Sequence, residues 1–307
     1  MFALLTYLLN LSIIYILLTL TLYMLSTIHP LPGFLARLLA SYICLVACAC
    51  YGVFISIFLR LFNAHRIAQW AVARAFKYSM YFTTGVIFEV DDPHNYLGRT
   101  RPAVIIGNHQ TELDVLMLGS VFPKYCSVTA KKSLKNVPVL GWFMSLSGTV
   151  FIDRANSKDA RQAMAGAAAE IREKRQSVYI FPEGTRSYAK EPMLLPFKKG
   201  AFHLAIQAGV PVIPVVVANY SDVLYVQSWW FRAGKIPVKV LKPIETKNLT
   251  SADVEDLARD TRELMLKELV GLTSRREGKP IPMPARNSGD GVIKASGAEA
   301  KVEHHIL

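Results

Sequence analysis

The first 59 residues contain a single charged side chain, Arg37, and this feature constrains the fold more than any other. Two apolar runs, residues 2–28 and 38–59, are separated by a short segment that contains two prolines. At 1.5 Å per helical residue the second run reaches roughly 33 Å, which is comparable with the hydrocarbon thickness of a bilayer. Residues 1–60 are therefore predicted to form two hydrophobic membrane helices, a membrane-embedded hairpin. Such a start excludes a fully soluble cytosolic protein.

The rest of the sequence is basic and has the composition of a folded domain. All 23 acidic residues and 34 of the 35 basic residues lie in residues 60–307, which gives this part a net charge of +11. Single α/β domains commonly reach this length, so we expect one domain, at residues 61–273. Residues 274–307 contain three prolines followed by Gly, Ser, Ala and Lys, and are predicted to form a mobile tail. Nucleic acid is a rival partner for a basic chain, but no nucleic-acid-binding motif supports it.

The positive charges also predict how the chain is oriented in a membrane. One arginine lies between the two apolar runs, whereas Arg60, Arg66, Arg74 and Lys77 follow the second run. The positive-inside rule therefore places the domain on the cytoplasmic side. A hairpin that enters and leaves the same leaflet has the same sequence signature, so both topologies remain open.

After residue 100, short β-branched runs alternate with helical stretches. The predicted strands are Ala103–Gly107, Ser127–Ala130, Thr149–Ile152, Val178–Phe181, Val212–Val217 and Val238–Leu241. Helices are predicted from a Ser157 cap through Ile171, and from Ala201 to Ala208. This alternation is typical of an α/β fold with a mixed, largely parallel sheet flanked by helices. Ligands bind such sheets beyond the carboxyl ends of the strands, so functional residues are expected there.

A histidine and an aspartate, His109 and Asp114, follow the first predicted strand. Five residues of a regular helix turn about 140° beyond a full turn, so His109 must lie in the turn before the helix that carries Asp114. The carboxylate can then hold one ring nitrogen and leave the other as a general base. No Gly-x-Ser-x-Gly nucleophile motif is present, so the base would act directly on a substrate hydroxyl. The alternative is a structural histidine that caps a helix.

A second polar segment, residues 181–187, follows another predicted strand. Arg186 offers a planar fork suited to a phosphate, Gly184 permits close approach of the backbone, and Thr185 supplies a hydroxyl. Arg154 follows a third strand, and two arginines at one sheet edge favour a phosphate site. The alternative is a turn with a surface Arg–Glu pair.

The cysteines indicate neither a disulfide framework nor a zinc site. Three of the four lie in the second apolar run, and Cys126 alone lies in the domain. No cluster with metal-ligand spacing is visible in the sequence, so we predict no metal and no cofactor.

Taken in order, four motifs resemble the sequence blocks of the 1-acyl-sn-glycerol-3-phosphate acyltransferases. These motifs are Asn108-His109-x4-Asp114, Phe151-Ile152-Asp153-Arg154, Phe181-Pro182-Glu183-Gly184-Thr185-Arg186 and Val210-Pro211-Val212-Ile213-Pro214-Val215. Residues 130–142 and 197–202 are also similar to this family, particularly to its fungal members. The resemblance spans about residues 40–272. Four ordered blocks are far more specific than any one of them.

The resemblance implies an activity and a location. The family transfers a fatty acyl group from acyl-CoA to the sn-2 hydroxyl of lysophosphatidic acid, which yields phosphatidic acid and CoA. It implies that His109 is the base, and that Asp114 orients it and stabilises the imidazolium. Acyl-CoA is then a substrate, and no cofactor is needed. The expected location is the endoplasmic reticulum membrane, with the lipid droplet as another site.

The resemblance also implies which residues bind the substrates. The residues implied for the acceptor phosphate and its pocket are Arg154, Glu183, Gly184, Thr185 and Arg186, and those implied for CoA phosphates or anionic lipid are Lys131, Lys132, Lys198 and Lys199. For the lysines the alternative is a solvated basic face.

Three other functions remain open on the sequence alone. The acceptor can be glycerol 3-phosphate or another lysophospholipid. The same dyad can serve a membrane-bound thioesterase or hydrolase that uses water. A non-catalytic lipid-binding protein is the third alternative, although the intact dyad argues against it.

Overall fold

A mixed β-sheet forms the centre of the protein. The computed structural model describes residues 2–152, 166–169 and 171–284. Within these residues the sheet contains β1 (Val86–Asp91), β2 (Val104–Gly107), β3 (Cys126–Lys131), β4 (Val150–Ile152), β5 (Ser177–Ile180), β6 (Val212–Val217) and β9 (Gly234–Val240), and a separate hairpin contains β7 (Leu224–Tyr225) and β8 (Trp230–Phe231). The strand order across the sheet is β1-β9-β6-β2-β5-β3-β4.

The five strands from β6 to β4 in this order run parallel, as the sequence predicts. Strand β9 is antiparallel to β6 and parallel to β1, which makes the sheet mixed. The six predicted strands are β2, β3, β4, β5, β6 and β9, and the last begins earlier than predicted, at Gly234. Strand β1 is an addition that the sequence did not reveal, because half of this edge strand is exposed and its apolar pattern is short.

Helices cover both faces of the sheet. The described helices are α1 (Phe2–Leu25), α2 (Pro30–Leu61), α3 (Ala68–Thr84), α4 (Tyr96–Arg99), α5 (Asp114–Val121), α6 (Leu140–Leu146), α7 (Gly200–Ala208) and α8 (Val254–Glu277). Residues 166–169 and 171–174 are also helical, and the rest of the helix predicted after Ser157 lies outside the described residues. Helix α8 runs to Glu277, and residues 285–307 of the predicted tail are likewise outside them.

The alternation of side chains along β2 shows how the two faces are filled. Ile105 packs into an apolar cluster with α2, α3 and α5, whereas Val104 and Ile106 pack into a second cluster with α7 and α8. Both clusters are buried, because a parallel strand that is covered on both faces has apolar side chains pointing each way. The polar residues lie in the loops that follow the carboxyl ends of the parallel strands.

The turn between the two N-terminal helices is shorter than the sequence predicts. Helix α2 begins at Pro30, so most of the predicted connecting segment, including Arg37, lies within the helix. Proline is accepted in the first turn of a helix, where its missing N–H has no helical partner. The His29 side chain caps this end by accepting a hydrogen bond from the Leu31 N–H at 3.2 Å.

Helix α2 packs against the domain along one face, and α1 packs beside α2. Its buried positions recur from Gly33 to Ser56 on one face. At one end Phe34 meets the ring of Trp229 at 5.4 Å, and further along Gly52 lies against the ring of Phe143 in α6. Among the described residues, α2 is the helix that is long and apolar enough to cross a membrane.

Candidate active site

The His109–Asp114 pair lies where β2 gives way to α5. His109 lies in the turn after the strand, and its Nδ1 is 2.7 Å from Oδ2 of Asp114. Asp114 is the first residue of α5, so the helix carries it and His109 precedes the helix, as predicted. Its side chain is fully buried, whereas the His109 side chain is 14% exposed. The ring is therefore held from inside and can be reached from outside.

Three further donors fix the Asp114 carboxylate. Oδ2 accepts hydrogen bonds from the backbone N–H groups of Gln110 at 2.6 Å and Thr111 at 3.1 Å. Oδ1 accepts one from the hydroxyl of Tyr220 at 2.7 Å. These bonds satisfy the buried charge and hold it beside the imidazole. With Nδ1 directed at Asp114, Nε2 is the ring nitrogen that can accept a proton.

The loop after β5 supports the other side of His109. The Phe181 ring stacks on the imidazole with a centroid distance of 4.1 Å and an interplanar angle of 18°. Below it, the buried Glu183 carboxylate accepts the backbone N–H of His109 at 2.7 Å through Oε1, and that of Leu195 at 2.9 Å through Oε2. Glu183 therefore joins the two loops that form the site.

Arg186 lies on the same loop, at the surface beside His109. Its Nη1 donates to Oε1 of Glu112 at 2.9 Å and to the Tyr188 hydroxyl at 3.1 Å. Its Nε is buried and has no hydrogen-bond partner among the described residues. The backbone N–H of Ser187 donates to the carbonyl of His109 at 2.9 Å, which brings the arginine next to the dyad. The Arg–Glu pair considered from the sequence exists, but with a glutamate of the other loop.

Gly184 and Thr185 occupy the turn between Glu183 and Arg186. Gly184 has a φ of +71°, which favours glycine, and a β-carbon there would lie 2.8 Å from the side chain of Lys198. The glycine thus lets the Lys198 side chain lie over the loop. The Thr185 side chain is exposed.

Comparison with known proteins places this site in a family. Residues 88–218 match the family model described as Acyltransferase. The 1-acyl-sn-glycerol-3-phosphate acyltransferase of Saccharomyces cerevisiae is 43% identical over 225 residues, which are 73% of this chain and 74% of that protein. The chain belongs to the 1-acyl-sn-glycerol-3-phosphate acyltransferase family. The human alpha form is 37% identical over 69% of this chain and 71% of its own length.

A solved structure has the same fold as this acyltransferase. It is the 1-acyl-sn-glycerophosphate (LPA) acyltransferase PlsC from Thermotoga maritima, with a TM-score of 0.62 over 86% of this chain and 98% of that one. The sequence identity is 23%. The expected α/β class, with a mostly parallel sheet and preceding helices, is therefore confirmed.

The other predicted substrate-binding residues of the acyltransferase lie at or after the ends of strands β3 and β4 along the chain. Lys131 ends β3 and Lys132 follows it, and both side chains are exposed at the same carboxyl edge of the sheet. Arg154 lies outside the described residues, beyond the end of β4 at Ile152. The side-chain hydrogen bonds of His109 and Arg186 go to Asp114, Glu112 and Tyr188 within the described part of the chain.

Two features of the acyltransferase site were missed from the sequence. Tyr220 lies just beyond the carboxyl end of β6 and reaches Asp114 from more than 100 residues away. The rule that functional residues follow strand ends could have found it. Asn108 pairs its side-chain amide with the backbone N–H and carbonyl of Val217 at 2.9 and 3.0 Å, which locks β2 to β6 next to the dyad.

No metal centre is evident in the described part of the acyltransferase. Within residues 2–152, 166–169 and 171–284, no group of three or more His, Cys, Asp and Glu side chains is placed to hold a metal ion.

The environment of Glu183 predicts a pH-dependent stability. Burial raises the pKa of its carboxyl from 4.5 to about 7, although two backbone N–H groups favour the ionised form. Between pH 4.5 and about 7 the folded protein keeps a proton on Glu183 that the unfolded chain releases. The free energy of unfolding therefore decreases as the pH rises through this range. We expect the thermal midpoint of the detergent-solubilised protein to fall across this window relative to Glu183→Gln, which cannot titrate. Parallel midpoint curves for the two proteins would contradict this.

Proposed function

We propose that this protein transfers a fatty acyl group from acyl-CoA to the sn-2 hydroxyl of 1-acyl-sn-glycerol 3-phosphate, lysophosphatidic acid. The products are phosphatidic acid and CoA. The observation that carries the proposal is the buried Asp114 carboxylate, 2.7 Å from His109 Nδ1. It is supported by the similar yeast and human proteins, which are named 1-acyl-sn-glycerol-3-phosphate acyltransferases. Acyl-CoA is consumed as a substrate, and the reaction needs no cofactor.

The dyad performs the proton transfers in this reaction. His109 Nε2 takes the proton of the sn-2 hydroxyl as that oxygen forms a bond with the thioester carbonyl carbon. Asp114 stabilises the imidazolium that results, and the ion pair is strong because the carboxylate is buried. When the tetrahedral intermediate collapses, the carbon–sulfur bond breaks and the imidazolium returns its proton to the CoA sulfur. The histidine ends the cycle neutral.

Arg186 binds the acceptor phosphate in this proposal. Its guanidinium lies beside the dyad, its Nε has no protein acceptor among the described residues, and Glu112 orients one Nη. The acceptor phosphate can take hydrogen bonds from the other N–H groups of Arg186, and it can replace the Glu112 carboxylate on Nη1. Glu183, Gly184 and Thr185 hold the loop around it, and Arg154 is proposed to contribute from beyond β4.

Replacing Arg186 with Gln tests this assignment. Because the Arg186 side chain is 37% exposed, we expect the lower end of the loss typical of a charge-assisted hydrogen bond, about a tenfold rise in KM for lysophosphatidic acid. The KM for acyl-CoA should stay unchanged. Arg259→Gln is the matched control, since it removes an arginine from a surface ion pair on α8. A rise confined to the acyl-CoA KM would reassign Arg186 to the donor.

Lys131 and Lys132 are proposed to meet the phosphates of CoA or anionic lipid. Both are exposed at the carboxyl edge of the sheet, where a ligand of the dyad would extend. Lys198, whose side chain lies over Gly184, is proposed to have the same role. Because phosphates are strongly charged, these lysines should increase both the rate at which CoA or anionic lipid meets the protein and the affinity of its binding.

The membrane location is proposed to be the endoplasmic reticulum, with the catalytic domain on the cytoplasmic side. The support is the apolar α2 and the cationic residues that follow it. We further propose that α1 and α2 both lie in the cytoplasmic leaflet, with the α1–α2 turn at its surface. Helix α2 contacts the domain near both Phe34 and Gly52, so its two ends lie on the domain side.

Labelling of the α1–α2 turn in sealed microsomes tests this topology. A Thr27→Cys variant, whose residue is exposed, is expected to react with a membrane-impermeant maleimide added on the cytoplasmic side. Lys247→Cys, at an exposed site of the domain, is the positive control, and the unchanged protein gives the background from its own four cysteines. Labelling of the Thr27→Cys variant above this background only after the membrane is permeabilised would show that the turn lies in the lumen.

The activity itself is tested by thiol release from oleoyl-CoA with purified protein in detergent. We expect release that requires lysophosphatidic acid and that is weak with glycerol 3-phosphate or lysophosphatidylcholine. Phosphatidic acid should form in equal amount. Release without an acceptor would indicate a thioesterase, and preference for another acceptor would keep the mechanism but change the substrate.

A further inference from the structure

A polar cavity lies apart from the active site, where the α1–α2 turn meets the β7–β8 hairpin. Its volume is about 370 Å³, within the ~300–1,000 Å³ range of pockets that hold small ligands. Its polar side chains are Ser26, Thr27, His29, Arg37 and Arg232. No residue of the dyad or of the Arg186 loop lines it.

Arg37 is held in this cavity by backbone carbonyls. Its Nε donates to Thr84 O at 3.1 Å and one Nη donates to Gly33 O at 3.4 Å. These bonds orient the guanidinium and use two of its five N–H groups. Among the described residues no carboxylate pairs with Arg37, so its charge is uncompensated in a chain segment that is otherwise apolar.

Arg232 brings a second positive charge from the opposite wall. Its guanidinium lies over the ring of Trp230, and that ring is anchored by a hydrogen bond from its Nε1 to the carbonyl of Asp222. In the part of the chain that the structure describes, no ion pair engages Arg232 either. Stacking restricts the guanidinium and leaves its N–H fork to bind an anion.

The surroundings of the cavity are apolar and exposed. Met24 is 76% exposed and Ile28 is 81% exposed on the side of the turn, and Trp229 is 58% exposed on the hairpin. Tryptophan at such a place is typical of the membrane–water interface. A ligand that fits has an anionic group for the two arginines and an apolar part for these side chains.

We propose that this cavity is a binding site for the headgroup of an anionic phospholipid of the membrane, distinct from the catalytic site. The net negative headgroup lies between Arg37 and Arg232, which would repel the choline cation of a zwitterionic lipid, and the acyl chains lie along Met24 and Ile28. The site seats the turn on the charged leaflet, and it does not depend on the chemistry at His109.

Native mass spectrometry of the detergent-purified full chain tests the proposal with phosphatidylserine and phosphatidylcholine as probes. We expect the protein to retain phosphatidylserine in preference to phosphatidylcholine. Arg232→Gln, at an exposed side chain, should weaken phosphatidylserine retention by about tenfold, the effect of one lost charge-assisted hydrogen bond. Arg232→Lys keeps the positive charge but loses the planar guanidinium. Its retention of phosphatidylserine should lie between that of the unchanged protein and that of Arg232→Gln. Lys247→Gln, which removes one positive charge elsewhere, should retain the lipid as well as the unchanged protein.

Two further arms distinguish this cavity from the active site and from a site for free phosphate. His109→Ala should retain phosphatidylserine fully, so the lipid site can be tested even if the proposed acyl transfer is wrong. Loss of lipid in His109→Ala would place the lipid in the active site and overturn the proposal. So would equal retention by Arg232→Gln and Lys247→Gln. Displacement of phosphatidylserine by inorganic phosphate at similar concentration would also overturn it, because the cavity would then recognise free phosphate.

Discussion

A His109→Ala variant is expected to lose acyl transfer by about 10²- to 10⁴-fold, the usual contribution of a general base. The loss should fall on kcat, because in the proposed mechanism the imidazole acts on the proton of the hydroxyl and adds little to substrate binding. The measurement is the rate of thiol release from oleoyl-CoA at saturating lysophosphatidic acid. The protein should remain folded, since His109 is partly exposed and its backbone bond to Glu183 does not need the ring.

His203→Ala is the matched control for this variant. His203 is an exposed histidine on α7, and within the described residues its side chain makes no hydrogen bond or ion pair with the site. Its replacement should leave the rate unchanged. An active His109→Ala enzyme would remove His109 from the mechanism, and equal losses in both variants would show that the effect is not specific to the dyad.

An Asp114→Asn variant is expected to lose nearly as much kcat as the His109→Ala variant. An amide at this position turns a donor toward groups that are all donors: His109 Nδ1–H, the Gln110 N–H and the Tyr220 hydroxyl. The imidazole then takes the wrong tautomer, and its Nε2 no longer accepts a proton. The side chain is fully buried, so we also expect a loss of about 1–3 kcal/mol in the free energy of unfolding from the unsatisfied donors.

Kinetics and thermal denaturation in the same detergent separate these two effects. Asp260→Asn, an exposed carboxylate paired with Arg259 at 3.0 Å, should change neither the rate nor the midpoint. A fold that survives with kcat reduced and the lysophosphatidic acid KM nearly unchanged would support an orienting role for Asp114. Full activity in Asp114→Asn would show that the carboxylate only caps α5.

The sequence predicted the sheet well because its parallel strands are buried on both faces. Residues 104–107 and 212–217 are unbroken apolar runs. Such a run between helices is typical of a parallel strand that is buried on both faces. Polar residues that follow such buried strands were predicted to lie together for the same reason, since the carboxyl ends of parallel strands meet at one edge of the sheet. His109 and Glu183 are examples, and the structure brings them into one hydrogen-bonded network.

What the sequence could not supply is the set of contacts between distant loops. Tyr220 and Glu112 read as ordinary polar loop residues, and only the folded chain puts one on Asp114 and the other on Arg186. Strand β1 and the start of α2 at Pro30 were missed because short or proline-containing patterns are ambiguous until tertiary packing decides them. The local sequence pattern therefore predicted the candidate His109–Asp114 dyad but not the residues that hold it in place.

The sharing of one apolar cluster between α2 and the domain has a consequence for how the enzyme meets its lipid substrate. Phe34 and Cys44 of α2 lie in the same cluster as Ile105 and Met117, so no flexible tether separates the anchor from the catalytic layer. His109 is thus carried at a fixed height and tilt relative to the anchor. In the proposed mechanism, insertion of the hairpin into a bilayer therefore fixes the depth at which a lipid hydroxyl can reach the imidazole. Changes in lipid packing should shift catalysis by moving the whole body, with no hinge to absorb them.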